Sequence, residues 1–433
     1  MPALRPPILA DARRRVVDEA SIVALVALYG WAIELRRGER ERPEREAREA
    51  LDRWVALGLP FARDAGGARR FDPVEVIGFY KYTGRVLGDP FLALAMAQSR
   101  ALVLGFHDGT PSARSPPRVD TLGRTRFCVS LERTFDIARG TRGNPLLLRV
   151  PLPVDDGTLD GVTVDPTLPA DATVEHSPGR LDVRLPHPGT ATIPIGVRVS
   201  FWSDPSRRGR ERVTLDAAQA ALYLRASEGL VKVSDRVAAL AARLAAGEHD
   251  PLAIIQRFVD YLIDDITIGA VHYDRLDRSA PLDTVLESGW CDCQMASALF
   301  VALCRASGIP ARLVSGYLLT PATPAGHYWA EAWIDGAWRP FDSSAADLAA
   351  GGRDAAWRDY YFGRLDHRMT TQILPRVFNL APSVRLPPLW HTLQGVDGDG
   401  IAQSTFDDAT GALVFRDRIA VQRGEPSVNA TPL

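Results

Sequence analysis

The sequence predicts an α+β chain with three consecutive regions: an all-α region, an antiparallel β-sandwich and a mixed α+β core. Three observations support this prediction. Over the first 105 or so residues, apolar side chains recur with the period of an amphipathic helix. From about residue 122 to about residue 212, short alternating runs stand between turn signals, which is typical of antiparallel strands. Helical periodicity then returns and mixes with strand patterns as far as about residue 375.

The composition of the chain argues against several classes of protein and of binding partner. A chain of 433 residues with 46% hydrophobic and 24% charged residues is too long for one ordinary core and too apolar to be disordered. Its net charge of -2 argues against nucleic acid or an anionic membrane surface as the main partner. No stretch reaches the ~18 consecutive apolar residues of a membrane span, and the first residues lack the apolar core of a secretory signal. Four cysteines are too few for a disulfide framework, so we expect a reduced, cytoplasmic protein.

Residues 1–110 are predicted to form an N-terminal helical domain. Two apolar stripes with helical spacing define its first two helices: Ile22, Leu25, Val26, Leu28, Tyr29 and Ile33, then Ala50, Leu51, Trp54 and Val55. Asp72 followed by Pro73 is typical of an N-cap and a first helical residue, so a third helix is expected to run through Ile77 and Tyr80. A fourth apolar run covers residues 91–104, and a Gly-, Pro- and Ser-rich linker follows at 105–118.

The remaining boundaries follow from the change of pattern. Residues 118–213 are predicted to form the β-sandwich domain, with Cys128 as a buried strand residue. Residues 214–375 are predicted to form the core, in which helices cover 234–246 and the segment after Asp250 and Pro251. Residues 376–433 are then a C-terminal extension, with a hairpin around residues 408–411.

The segment 289–344 contains the candidate catalytic residues. Helix-forming residues from 293 to 307 end at Gly308, Ile309 and Pro310, a typical helix stop. Asp292 is a suitable N-cap, which places Cys293 in the first turn. The positive end of the helix dipole stabilises a thiolate there. The unpaired N–H groups of the same turn can stabilise the oxyanion that forms when a thiolate attacks a carbonyl.

A β-hairpin is predicted after this helix. Asp335 and Gly336 form the strongest two-residue hairpin signal, so Ile334 is expected to pair with Ala337. Continuing this register pairs Trp329 with Asp342 and places His327 diagonally opposite Asp342 on the same face. A carboxylate in that position can orient an imidazole that serves a nucleophile. The prediction holds if no bulge occurs near Pro340.

These residues resemble the transglutaminase-like superfamily, in particular its bacterial cysteine enzymes. The resemblance consists of a Cys that opens a helix, Arg-Ala-Ser-Gly-Ile-Pro-Ala-Arg at 305–312, Gly316 with Tyr317, His-x-Trp-x-Glu at 327–331, and Trp-x-Pro-x-Asp at 338–342. Weaker likeness at 148–153, from Tyr223 onward and at 360–368 extends it to roughly residues 120–375. The resemblance implies a papain-like transglutaminase core preceded by a β-domain.

The resemblance also implies site residues and a reaction. In the family the nucleophile lies about twelve residues before the Arg that precedes Gly-Ile-Pro, and Cys293 lies twelve before Arg305. Cys293, His327 and Asp342 are therefore the expected catalytic residues. The residues expected to support the site are Trp329, Glu331, Tyr317 and Cys291. The implied substrate is a peptide, a protein or an acyl thioester, with water or an amine as acyl acceptor and with no metal or organic cofactor.

Alternatives remain at two levels. Many family members carry Gly two residues before the nucleophile, where this chain has Cys291, so Cys291 stays open as a rival nucleophile, a resolving thiol or a buried turn residue. Cys304 lies three helical turns from Cys293, ~16 Å away, and is predicted to be a core residue. This distance excludes a zinc site made of Cys291, Cys293, Cys304 and His327. The alternative function is a binding or scaffold protein that retains the fold without catalysis.

Overall fold

Helices, two antiparallel sheets and a mixed core make up the part of the chain that the computed structural model describes. The described residues are 16–30, 41–72, 75–76, 78–79, 122–137, 144–189, 191–269, 271, 273, 276–319, 324–350, 355–375, 380–384, 390–397, 400–407 and 412–426. In these ranges no helix has both the length and the apolar character needed to cross a membrane.

The N-terminal region combines two helices with a small sheet. Its helices are α1 (Glu19–Gly30) and α2 (Glu41–Ala56), and its strands are β1 (Val17–Asp18), β2 (Ala62–Arg63) and β3 (Arg69–Phe71). The strands pair antiparallel in the order β1-β3-β2. The prediction of an all-α domain is therefore wrong over these residues. Strands of two or three residues are too short to produce an alternating pattern, so the sequence carried no strand signal here.

The helical stripes predicted for this region are buried where the structure describes their side chains, except that Val55 is half-buried against the same cluster. Ile22 and Val26 of α1, and Ala50, Leu51 and Trp54 of α2, are buried together in one cluster. The carbonyl of Asp72 accepts a hydrogen bond from the N–H of Val76, as expected at a helix start. Outside the described residues lie Ile33, Ile77 and Tyr80, the run at 91–104 and the linker at 105–118.

Two antiparallel sheets share one hydrophobic cluster in the region predicted to be a β-sandwich. Its strands are β4 (Thr125–Ile137), β5 (Leu146–Pro151), β6 (Leu159–Thr167), β7 (Thr173–Ser177), β8 (Arg180–Leu185) and β9 (Ala191–Ser203). Strands β5, β8 and β7 form a three-stranded sheet, and β4, β9 and β6 lie side by side in a six-stranded one. Phe127, Val129 and Leu131 alternate inward along β4. Cys128 lies between them on the other face and is half-buried, not buried as predicted.

Helices α3 to α9 and strands β10 to β17 form the mixed core. The helices are α3 (Ala217–Leu224), α4 (Asp235–Ala245), α5 (Pro251–Asp264), α6 (Pro281–Ser288), α7 (Cys293–Ala306), α8 (Ser343–Ala350) and α9 (Ala355–Tyr360). The strands are β10 (Ser227–Glu228), β11 (Val231–Lys232), β12 (Thr267–Ile268), β13 (Trp290–Cys291), β14 (Ala311–Leu318), β15 (Ala325–Ile334), β16 (Ala337–Phe341) and β17 (Arg368–Ile373). Helix α7 is buried from Met295 to Arg305 and packs against the sheet β16-β15-β14-β17.

The hairpin of β15 and β16 has the predicted register. Asp335 and Gly336 both have positive φ angles, 52° and 79°, as a tight two-residue turn requires. Ile334 pairs with Ala337, and the ladder continues without a register shift to Ala330 and Phe341. This hairpin therefore has no bulge near Pro340, and the predicted register holds. The last ladder pair stops one position short of Trp329 and Asp342.

The C-terminal strands complete the larger sheet of the β-sandwich. They are β18 (Trp390–Asp397), β19 (Gly400–Asp407) and β20 (Ala412–Pro426), and the full sheet order is β18-β19-β20-β4-β9-β6. Asp407 pairs with Ala412 across the predicted hairpin, whose turn at 408–411 lies outside the described residues. Strand β20 pairs along β4. The structure thus differs from the predicted division, because residues 412–426 belong to the sheet that begins at residue 125.

Candidate active site

Cys293 is the first residue of α7, as predicted. The carboxylate of Asp292 caps the helix by accepting a hydrogen bond from the N–H of Met295 at 2.9 Å. Strand β13 ends at Cys291, directly before this cap. It pairs parallel with β12, where Ile268 is the partner of Cys291. Cys293 is half-buried, whereas Cys291 and Cys304 are fully buried. Of the cysteines in this segment, the one at the helix start is therefore the accessible one.

A buried tyrosine holds the cap. The hydroxyl of Tyr273 lies 2.8 Å and 3.0 Å from the two carboxylate oxygens of Asp292, and 3.2 Å from Oε1 of Gln294. Burial raises the pKa of Asp292, although the hydrogen bonds from Met295 and Tyr273 oppose that effect. Burial and the Asp292 charge raise the pKa of Tyr273 well above its usual value. Sequence reasoning missed Tyr273, because it lies outside the matching motifs and reaches Asp292 only through the fold.

His327 and Asp342 are in contact. His327 Nε2 lies 2.8 Å from Asp342 Oδ2, and both side chains are buried. Burial alone would lower the pKa of His327, but the negative charges of Asp342 and Cys293 outweigh it and raise the pKa to about 10. The imidazole also interacts directly with the Cys293 side chain. Because Nε2 faces Asp342, Nδ1 is the ring nitrogen left for the thiol.

Asp342 is held on both of its oxygens. Oδ1 accepts the N–H of Ala345 at 2.8 Å, since Asp342 directly precedes α8. Oδ2 accepts from His327 and also from Arg368 Nη1 at 2.5 Å. Burial would raise the pKa of Asp342, but His327 and Arg368 hold it well below its usual range. Asp342 is therefore a carboxylate with a fixed orientation.

Arg368 is the second residue that sequence reasoning missed. Its guanidinium is buried between Asp342 and Asp366, with Nε 2.8 Å from Asp366 Oδ1. The hydroxyl of Tyr361 donates to the other oxygen of Asp366 at 3.0 Å. The available signal was the weak likeness of residues 360–368 to the segment that follows the family's Asp.

Trp329 and Glu331, predicted to support the site, follow His327 at alternate positions of β15. Trp329 is fully buried, and its ring centre lies 5.1 Å from the guanidinium carbon of Arg368 and 5.8 Å from that of Arg208. Glu331 is buried and forms ion pairs with Arg312 at 2.6 Å and with Arg208 at 3.4 Å. Trp329 thus packs against Arg368, a partner of Asp342. Glu331 forms its ion pairs two residues farther along β15.

Tyr317 and Cys291, the other two predicted supporting residues, lie elsewhere. Tyr317 belongs to the hydrophobic cluster of the β-sandwich, where its hydroxyl donates to Asp417 at 3.3 Å. Its neighbour Gly316 is the residue that pairs with His327. The side chain of Cys291 belongs to the cluster of the mixed core. The motif match at Gly316 and Tyr317 therefore reflects strand pairing and domain packing.

The arrangement can perform nucleophilic chemistry. It combines an accessible thiol at a helix N-terminus, an imidazole beside that thiol, and a carboxylate that orients the imidazole. In the first turn of α7 the N–H of Met295 is already bonded to Asp292, and the positive end of the helix favours the negative charge of an oxyanion formed after attack by Cys293. In the described part of the chain, no cluster of three or more His, Cys, Asp or Glu side chains is arranged to hold a metal ion.

Comparisons with solved structures give distant similarity. A protein from Cytophaga hutchinsonii that is provisionally named a cysteine protease is 17% identical with a TM-score of 0.43, over 71% of this chain and 93% of that one. The periplasmic domain of TgpA from Pseudomonas aeruginosa is 18% identical with a TM-score of 0.29, over 58% of this chain and 97% of that one. No curated protein matches the chain significantly in sequence.

A family match covers the segment that contains the site. Residues 238–343 match the family described as Transglut_core, the transglutaminase-like superfamily. The matched range begins in α4 and extends past β16 to the first residue of α8. It includes Cys293, His327 and Asp342. Residues 238–343 of this chain are therefore similar to the core of the transglutaminase-like superfamily.

Proposed function

We propose that the chain is a cysteine-nucleophile enzyme that transfers acyl groups through an acyl-enzyme. The observation that carries this proposal is the position of His327, which interacts with Cys293 on one side and lies 2.8 Å from Asp342 on the other. The family match over residues 238–343 supports it. In this proposal Cys293 is the nucleophile, His327 is the acid and base, and Asp342 orients His327.

The reaction begins with the Cys293 thiolate paired with the His327 imidazolium. The thiolate forms a C–S bond to the carbonyl carbon of an amide, ester or thioester, and the N–H groups at the start of α7 stabilise the oxyanion. His327 then gives its proton to the leaving amine, alcohol or thiol as the bond to the acyl carbon breaks. Water or an acceptor amine attacks the acyl-enzyme, His327 takes its proton, and the thiolate is released.

The substrate class follows from this chemistry. A peptide, a protein or an acyl thioester supplies the carbonyl, and the acceptor is water in hydrolysis or an amine in transfer. The two outcomes share every step up to the acyl-enzyme. Incubation of the chain with a p-nitrophenyl ester, with and without a primary amine, separates them by whether the product is the free acid or the amide.

Selective alkylation tests the ion pair. We expect iodoacetamide near pH 6 to modify Cys293 faster than Cys128, Cys291 and Cys304, because the thiolate is the form that reacts and His327 is placed to take the thiol proton. Peptide mass spectrometry identifies the modified residue. The His327→Ala variant should lose the selectivity. Equal, slow labelling of all four cysteines would refute the ion pair and favour a binding or scaffold protein.

Capture of the acyl-enzyme tests the choice of nucleophile. We expect Cys293→Ala to abolish covalent capture of an activated ester, and Cys291→Ala to retain most of it, because Cys291 is fully buried. Intact-protein mass spectrometry measures the added acyl mass. The reverse pattern would assign the nucleophile to Cys291.

A further inference from the structure

A buried arginine shares one carboxylate oxygen with the proposed catalytic histidine. Asp342 Oδ2 lies 2.8 Å from His327 Nε2 and 2.5 Å from Arg368 Nη1. The side chains of His327, Asp342 and Arg368 are 7%, 1% and 0% exposed, so water does not screen these contacts. Arg368 therefore contacts Asp342 Oδ2, the same oxygen atom that orients His327.

A second carboxylate and two aromatic rings hold the guanidinium of Arg368 in place. Asp366 Oδ1 accepts from Arg368 Nε at 2.8 Å, and Asp366 in turn accepts from the hydroxyl of Tyr361. The rings of Trp329 and Tyr361 lie 5.1 Å and 5.8 Å from the guanidinium carbon. A planar guanidinium with fixed donors suits this position, because it can contact two carboxylates without rotating.

Charge alternates along this chain of contacts. In the proposed starting state of the reaction, the successive groups are a thiolate at Cys293, an imidazolium at His327, a carboxylate at Asp342, the guanidinium of Arg368 and the carboxyl group of Asp366. A buried carboxylate without a positive partner takes up a proton. Once protonated, it would no longer stabilise the imidazolium. The second cation therefore secures the charge of Asp342 in the steps where His327 is neutral.

We propose that Arg368 is a positioning residue of the site, which keeps Asp342 ionised with Oδ2 turned toward His327, and that Asp366 is its counter-charge. This inference rests on the proposed function. Arg368 does not touch the reacting atoms. It acts through Asp342, and its positive charge also reduces the tendency of His327 to retain a proton.

The effect of the Arg368 charge on His327 predicts whether the imidazolium becomes more or less stable in each variant. Several charged or titratable groups surround His327: Cys293 and Asp292 on and before α7, Tyr328 on β15, Asp342 before α8, Arg368 on β17, and Asp366 and Tyr361 behind Arg368. Removing Arg368 takes away a nearby positive charge, so the imidazolium becomes more stable. Removing the charge of Asp366 leaves Arg368 less neutralised, so the imidazolium becomes less stable.

Histidine titration by NMR tests this sign. The background is the full chain with Cys293→Ser, which removes the thiolate, and the His327 signal is identified by its loss in His327→Gln. We expect the midpoint of His327 to rise by roughly one pH unit when Arg368→Gln is combined with Asp366→Asn. This double variant removes one charge of each sign. In Asp366→Asn alone, which is expected to fold more readily, the midpoint should fall.

A midpoint that does not rise in the double variant, or that does not fall in Asp366→Asn, would overturn the proposal. In the chain with native Cys293, hydrolysis of the acyl-enzyme should slow in Arg368→Gln, because more of His327 stays protonated and cannot take the proton of the attacking water. It should recover in part in Arg368→Lys, because lysine restores the charge. Equal loss in both variants would reduce Arg368 to a packing role. Lack of selective Cys293 alkylation in the unmodified chain would instead refute the proposed function.

Discussion

Asp342 combines three kinds of partner in one side chain. It accepts from a backbone N–H at the start of α8, from the imidazole of His327 and from the guanidinium of Arg368. The start of a helix favours a negative charge, and both side-chain partners carry or can carry a positive one. These contacts outweigh the cost of burial and explain why the pKa of Asp342 is low. The same contacts make Asp342 a rigid support for His327.

The pairing predicts a pH-dependent stability. His327 has a folded-state pKa of about 10 against an ordinary 6.5. Its protonation therefore stabilises the folded chain fully below pH 6.5, and this contribution is lost as the pH rises through about 10. We expect the gap in unfolding free energy between the unmodified chain and His327→Gln to shrink between about pH 7 and about pH 11, by on the order of a few kcal/mol. Urea denaturation at the two pH values measures the gap, and a constant gap would contradict the pairing.

The cap at Asp292 predicts a local effect on Cys293. Replacing Asp292 with Ala removes the acceptor of Met295 N–H and of the Tyr273 hydroxyl. We expect a loss of about 1 kcal/mol in unfolding free energy together with slower alkylation of Cys293, because the first turn of α7 is no longer fixed.

A matched cap elsewhere provides the control for this prediction. Asp250 caps α5 by accepting from Leu252 N–H at 3.2 Å, away from the site. Asp250→Ala should cost similar stability but leave the alkylation rate unchanged. If both variants slow alkylation equally, the effect comes from general destabilisation and not from the position of Cys293.

At the scale of elements, a glycine determines how closely β14 and β17 approach. Gly316 pairs with His327 on one side and with Thr370 on the other, next to a register shift at Ser315. A Cβ at Gly316 would lie 2.1 Å from the carbonyl oxygen of Met369. Because backbone atoms cannot move aside cheaply, only glycine fits here. The close approach brings the start of β17, and with it Arg368, beside Asp342.

This geometry predicts a coupled loss in Gly316→Ala. The added methyl must push β17 away from β14, so we expect unfolding free energy to fall by about 1–3 kcal/mol and Cys293 alkylation to slow. Urea denaturation and the labelling assay measure the two effects. Gly66→Ala is the control, because the nearest atom to its added Cβ is a side-chain oxygen of Asp64 at 3.4 Å. Unchanged alkylation in Gly316→Ala would show that the site around His327 does not depend on this contact.

At the scale of the whole molecule, buried charges join the β-sandwich to the core. Arg208 follows β9 of the sandwich, and its guanidinium lies 2.5 Å from Asp156 and 3.4 Å from Glu331 of β15. The hydroxyl of Thr370 on β17 also contacts Asp156. The strand that carries His327 is therefore anchored to the neighbouring domain. Asp417 of β20, which contacts both Arg133 and Tyr317, provides a second such link.

Removing Arg208 should weaken this junction strongly. We expect Arg208→Met to lower the unfolding free energy by about 3–5 kcal/mol, because Asp156 and Glu331 are left buried with less compensation. Arg339→Met is the matched control, since Arg339 pairs with Asp335 at the surface and should cost no more than ~1 kcal/mol. Chemical denaturation measures both. Equal small losses would mean that the two domains do not depend on the buried pair.

The sequence alone determined the local features of this protein. The cap at Asp292, the helix of Cys293 and the turn at Asp335 and Gly336 each depend on residues close together in the chain, so their patterns could be read directly. The contact of His327 with Asp342 followed from the hairpin register because the turn sets which residues face each other.

Only the tertiary structure decided the features that join distant segments. Arg368 reaches Asp342 across 26 positions, Tyr273 reaches Asp292 across 19, and β20 pairs with β4 from the other end of the described chain. The short strands of the N-terminal region likewise form only because neighbouring segments supply their partners. Local patterns record which face of an element is apolar, whereas pairing between distant elements depends on the packing of the whole chain. For this reason the proposed catalytic residues could be predicted from the sequence, while the residues that hold two of them in place could not.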